Sequence, residues 1–122
     1  MDPVIFPENL ECEFYTEEKC YITELSNSSA DPDVSIARAR IVPGVTTRLH
    51  RLSKSFERYV ILSGTGEVEV GELPKQTVRS GDVVLIPPMC PQRIKNIGKE
   101  DLIFLAICSP RFSEEDYEDI DT

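Results

Sequence analysis

The chain is short of histidine, of paired cysteines, of long apolar runs and of basic charge, and each shortage removes a class of function. Histidine occurs once, at His50. One imidazole cannot build a Cys/His zinc site. The four cysteines, Cys12, Cys20, Cys90 and Cys108, include no CxxC pair that would build one from thiolates. No serine or cysteine is spaced to meet His50 as a nucleophile. Apolar runs such as Leu102–Cys108 are far too short to cross a bilayer, so no membrane partner is expected. The first residues carry Asp2, Pro3, Pro7 and Glu8 rather than the basic flank of an export signal. The expectation is a soluble, cytoplasmic protein with reduced thiols, Cys108 being a small core residue. Basic residues number 13 against 22 acidic ones, a net charge of −9. That sign repels phosphate, and no nucleic-acid partner is expected.

What is present fits one domain. The 122 residues, 40% of them hydrophobic, suffice for one continuous core and leave little room for a second. The core is expected over about residues 20–112. Six of the acidic residues fall in Ser113–Thr122, and without them the body is close to balanced. That segment reads as a solvated acidic tail, with one helical turn at most, or as a dock for a partner subunit.

Short β-branched and aromatic runs recur between clusters of Gly, Pro, Asn and Ser. This predicts an all-β sandwich or barrel of about nine strands and no sustained helix. The strands fall at Cys20–Leu25, Val34–Val42, Thr46–Leu52, Arg58–Leu62, Glu67–Val70, Gln76–Val78, Val83–Ile86, Gln92–Ile97 and Leu102–Cys108. Ser63–Gly64–Thr65–Gly66 reads as a tight hairpin. Pro87–Pro88 ends a strand, because proline cannot donate to a ladder.

Two segments carry a more specific pattern. Gly44, His50, Glu57 and Gly64 have the spacing glycine, five residues, histidine, one residue, a second position, four residues, glutamate, six residues, glycine. Farther on, Gly81, Pro87 and Asn96 are spaced around Met89 and Gln92. Together these resemble the paired motifs of the cupin superfamily, over about Val34 to Phe112. The departures are Leu52 and Gln92, which stand where the family has histidines, and Met89, which stands where it has glycine. The resemblance implies a double-stranded β-helix, the RmlC-like cupin jelly-roll barrel. It also implies that His50, Glu57 and Gln92 converge inside it while Leu52 cannot ligate. Such a set either holds a divalent cation weakly, Mn²⁺, Fe²⁺ or Mg²⁺ being favoured by its N/O donors, or forms a hydrogen-bonded polar cluster.

Strand alternation gives further candidates. Thr46, Arg48, His50 and Leu52 share one parity, as do Glu57, Tyr59 and Ile61, and Gln92, Ile94 and Asn96. An inward Arg48 needs an anion: either Glu57, or the carboxylate or phosphate of a small ligand. Arg38 and Arg40 either point to solvent or add a second cationic wall. Met89 and Cys90 belong to the turn at the expected barrel mouth and either pack or touch a ligand.

Three functions follow. The first is an enzyme acting on a small polar or anionic molecule of the sugar or sugar-phosphate class by isomerisation or epimerisation. His50 or Glu57 would be the general acid or base, Tyr59 a proton relay, and Arg48 the anion anchor. The second is a non-catalytic ligand-binding barrel, and the third a structural one. Cupins of this size commonly dimerise. The apolar pieces of the N-terminal residues 1–19, Val4–Ile5–Phe6 and Phe14–Tyr15, predict a homodimer built on Val4–Tyr15.

Overall fold

The computed structural model describes residues 2–122. The described residues form eleven strands and two short 3-10 turns, Leu10–Cys12 and Glu114–Asp116, with no α-helix. In chain order the strands are β1 (Phe14–Tyr15), β2 (Tyr21–Ser26), β3 (Ser35–Ile41), β4 (His50–Leu52), β5 (Phe56–Ser63) and β6 (Thr65–Val70). Then come β7 (Gln76–Arg79), β8 (Val83–Ile86), β9 (Gln92–Asn96), β10 (Leu102–Ser109) and β11 (Tyr117–Asp119). They make a six-stranded sheet, β1-β2-β3-β10-β5-β8, and a five-stranded sheet, β11-β4-β9-β6-β7. All pairings are antiparallel. This is the expected all-β double-stranded β-helix. No helix among the described residues is long and apolar enough to cross a membrane.

Three expectations change. The turn at Ser63–Gly66 is not a hairpin, since β5 and β6 belong to different sheets and do not pair. The chain crosses between sheets at Gly64. That residue takes φ +87, and a Cβ there would sit 2.7 Å from the Asp101 carbonyl oxygen, so only glycine fits. Thr46–Leu52 is regular only from His50 onward; before it, Thr46 makes a single bridge to Lys95. The acidic tail is part of the barrel, because β11 pairs with β4 through Tyr117↔Leu52 and Asp119↔His50. Asp116, just before it, is buried. Its carboxylate accepts from the Ser53 hydroxyl at 2.9 Å and from the Lys54 and Ser55 amides.

Residue size along the strands decides where the barrel is full and where it is open. Neighbouring inward positions on β3, β10 and β5 run Ile41–Leu102, Ala39–Phe104–Ile61, Ala37–Ala106–Tyr59 and Ser35–Cys108–Glu57. Bulky side chains fill the first end, where Ile41, Ile61, Ile94 and Leu102 are no more than 1% exposed. Each such burial stabilises by about 1.5–3 kcal/mol. Small or polar residues occupy the other end and leave a cavity. Asn96 closes the full end: its amide donates to the carbonyls of Ile41 and Glu100, and its oxygen accepts from the Gly98 amide.

Candidate functional site

The open end is a cavity of about 1060 Å³. Glu57 lies on its wall with Ser35, Ala37, Ala106 and Cys108, as the size gradient requires. A smaller cavity of about 290 Å³ near β7 and β8 is lined by valines together with Gln76 and Asp82 and has no buried ionisable side chain.

His50, Glu57 and Gln92 do meet at this end. His50 and Gln92 are direct partners across β4 and β9. They are 2%, 8% and 0% exposed respectively, which places three polar groups in the interior. The His50 Nδ1 lies 2.8 Å from the Arg48 carbonyl oxygen. A carbonyl only accepts, so Nδ1 carries the proton and the neutral ring keeps a free lone pair on Nε2. Burial pulls the His50 pKa down, against the Arg48 carbonyl and the charge of Glu57, which pull it up. The ring stacks on Tyr117, with centroids 5.0 Å apart.

One candidate residue escaped the sequence reading. Glu18 belongs to the turn between β1 and β2, and its Oε1 lies 3.4 Å from His50 Nε2. The turn is closed by hydrogen bonds between Thr16 and Cys20, and Lys19 takes a left-handed φ of 73. The Arg48 amide donates to the Glu18 carbonyl and pins the turn beside the barrel. About a fifth of the Glu18 side chain stays exposed, yet protein encloses the carboxyl on the cavity wall. Burial, aided by the charge of Asp119, pushes its pKa up to about 7. Burial likewise pushes Glu57 up to about 7. The His50 imidazole opposes that shift, and the Glu18 carboxylate adds to it. No motif marked Glu18, because its place depends on a turn that only the closed barrel fixes.

Tyr59 and Gln92 pair with each other. The Tyr59 hydroxyl donates to Gln92 Oε1 in a short hydrogen bond. Burial holds the phenol well above its usual pKa, so it stays protonated. Tyr59 packs on Phe104 and does not reach the cavity wall. Its visible role is to orient Gln92. The Gln92 Nε2 and the Glu57 Oε1 are left buried without hydrogen-bond partners. The amide lies near enough to favour the charged form of Glu57, although Nε2 makes no hydrogen bond of ordinary geometry.

The arginines are elsewhere. Arg48 is half-buried and pairs with Asp119 at 2.7 Å, not with Glu57. Its parity with His50 failed because Arg48 precedes the regular strand, and alternation holds only in a pleated ladder. Arg38 and Arg40 lie on the outer face of β3, where both pair with Glu13 and Arg40 also pairs with Asp101. Arg40 additionally covers the Tyr21 ring. None of the three lines the cavity, so the expected anion anchors are absent from it. Met89 and Cys90 do not line it either. Met89 stands at the motif's glycine position and adopts the φ that glycine favours, 65.

The residues present do not fit the divalent cation that the motif comparison implies. Gln92 spends its oxygen on Tyr59 and leaves only an N–H₂ group, which repels cations, without a partner. Leu52 is buried and apolar. Among the described residues no three His, Cys, Asp or Glu side chains gather as metal ligands do.

Comparison with known proteins agrees with the fold. Residues 37–108 match the sequence model of the family described as "Cupin domain". The uncharacterised protein MJ1618 of Methanocaldococcus jannaschii is 36% identical over 107 residues, covering 86% of this chain and 85% of that protein. A structure from Thermotoga maritima, described as a predicted oxalate decarboxylase, is 28% identical with a TM-score of 0.68, covering 75% of this chain and 80% of its own. Pac13, a nucleoside dehydratase of Streptomyces, has a TM-score of 0.78 at 15% identity, covering 97% of this chain and 92% of its own, a likeness of fold alone.

Proposed function

The chain belongs to the cupin family, and from that premise we propose that it converts a small polar molecule inside its barrel by general acid–base proton transfer, in the manner of an isomerase or epimerase. The observation that carries this reading is the approach of Glu18 Oε1 to His50 Nε2, 3.4 Å, at a cavity that Glu57 also lines. Two carboxyls with pKa values raised to about 7 exist in both protonation states near neutrality. One can take a proton from a substrate carbon or hydroxyl while the other returns one. His50 stands behind Glu18 and exchanges a proton with it through Nε2, its Nδ1–H being held by the Arg48 carbonyl. The hydroxyl groups of a sugar suit the carboxyls on the wall. None of the arginines expected as phosphate anchors is there, Arg48, Arg38 and Arg40 all being engaged outside, and Arg111 is the one guanidinium among the lining residues.

The test is solvent exchange. The protein is incubated in D₂O with a panel of aldoses, ketoses and amino sugars, and carbon-bound deuterium is read by NMR. Exchange at one substrate position, lost in Glu57→Gln, is the expected result. Tight binding of a panel member without exchange would point to a non-catalytic barrel. Absence of both across the panel contradicts the sugar class.

We also propose a homodimer formed through Val4–Tyr15. Val4, Ile5, Phe6, Leu10, Phe14 and Tyr15 are between 46% and 88% exposed in the single chain, more apolar surface than isolated residues normally leave in water.

A further inference from the structure

The charge on the cavity wall is one-sided. Glu17, Glu18, Glu24, Glu57 and Glu114 face it, and Arg111 is the single basic side chain among the lining residues. Asp119 lines it too, but Arg48 compensates that charge at 2.7 Å. Arg51 is held by Glu118, and Arg38 and Arg40 by Glu13. A carboxylate or phosphate entering this space would meet like charge in surroundings that screen poorly.

Surface carboxylates are commonly just solvated, so their number alone decides nothing. Glu57 supplies an independent observation. It is 8% exposed, it lies on the wall, and its Oε1 makes no hydrogen bond, the neighbouring Gln92 amide being out of bonding geometry. The other oxygen has only the Cys108 thiol, at 3.7 Å. A buried carboxylate oxygen without a partner beside an open volume is the complement of an N–H donor carrying positive charge. The walls add rings: Phe112 and Tyr117 line the same cavity, and ring faces attract cations.

We propose that the cavity takes a small organic cation whose ammonium or amidinium N–H groups bind the free Glu57 oxygen, with its carbon skeleton against Phe112 and Tyr117. This rests on the reading of the cavity as the ligand site and narrows its substrate class; an amino-bearing polyol satisfies both. The ligand would lose a cation's hydration on entry and regain it as charge-assisted hydrogen bonds, which a neutral analogue of equal size cannot do.

Isothermal titration calorimetry at low salt and slightly alkaline pH tests this with three four-carbon probes: putrescine, butane-1,4-diol and succinate. Putrescine is expected to bind with one-to-one stoichiometry and at least about tenfold more tightly than the diol, and succinate not at all. Glu57→Gln keeps the shape, removes the charge, and is expected to weaken putrescine by about tenfold or more. Glu115→Gln, exposed and off the wall, is expected to leave it unchanged. If Glu57→Gln does not fold, the order of the three probes on the wild-type protein decides. Tighter binding of the diol or succinate overturns the cation and leaves the cavity reading standing, since solvent exchange tests that separately. Putrescine binding indifferent to Glu57→Gln overturns the proposal, and so does the absence of heat with all three probes.

Discussion

The Tyr59 hydroxyl donates to the amide oxygen of Gln92, and this one bond sets the chemical character of the barrel's open end. With the oxygen engaged, the amide presents Nε2 to the interior. A position that resembles a metal-ligating histidine in the motif comparison is thereby a donor of hydrogen bonds.

The pairing leads to a reversal experiment. Wild-type protein dialysed against a chelator and then offered Mn²⁺, Fe²⁺ or Co²⁺ should hold well below one equivalent by elemental analysis. Leu52→His combined with Gln92→His should hold close to one, because two imidazoles then join His50 and Glu57. A full equivalent in the wild type would show that Gln92 does ligate.

Glu57 should make stability fall as pH rises. Its folded pKa is raised from 4.5 to about 7, so the folded state holds the proton over a window in which the unfolded chain has released it. The stabilising contribution is complete below pH 4.5 and is lost by the time pH passes 7, a change on the order of 3 kcal/mol. Glu57→Gln removes it. Chemical denaturation should find the variant gaining on wild type between pH 4 and 8. A constant difference would mean that Glu57 ionises at its ordinary pKa.

Asp116 should behave oppositely. Its carboxylate, fed by Ser53, Lys54 and Ser55, has a lowered pKa even though burial alone would raise it. Asp116→Ala leaves those donors without their acceptor and should cost about 2–4 kcal/mol in urea unfolding. A loss under about 0.5 kcal/mol, the ordinary surface value, would return the tail to a solvated terminus.

Light scattering at micromolar concentration should give twice the chain's 13.8 kDa. Replacing Ile5 and Phe6 with serine should restore the monomer mass. A wild-type monomer at that concentration rules out the proposed dimer.

The barrel was legible because its signals are local. Val83–Ile86 falls where its β-branched run and the Pro87–Pro88 stop place it. Gly64 and Asn96 do what their motif positions imply, through a backbone that no Cβ fits and a side chain that bonds three backbone groups. The two strands absent from the sequence reading, Phe14–Tyr15 and Tyr117–Asp119, are two and three residues long, too short to show alternation, and the second leans on a partner far away in the chain. The site was half legible. His50, Glu57 and Gln92 are tied to regular strands, whose alternation holds. Arg48 and Glu18 sit in irregular segments, where side-chain direction follows from tertiary contacts that no periodicity encodes.

Carbon-13 NMR of the glutamate side-chain carboxyls, titrated across pH and assigned with Glu18→Gln and Glu57→Gln, bears most directly on the acid–base site. Two resonances should titrate near 7, one vanishing in each variant. If Glu18 and Glu57 both titrate in the ordinary carboxylate range, the open end of the barrel holds no poised carboxyl pair and the proton-transfer mechanism is contradicted.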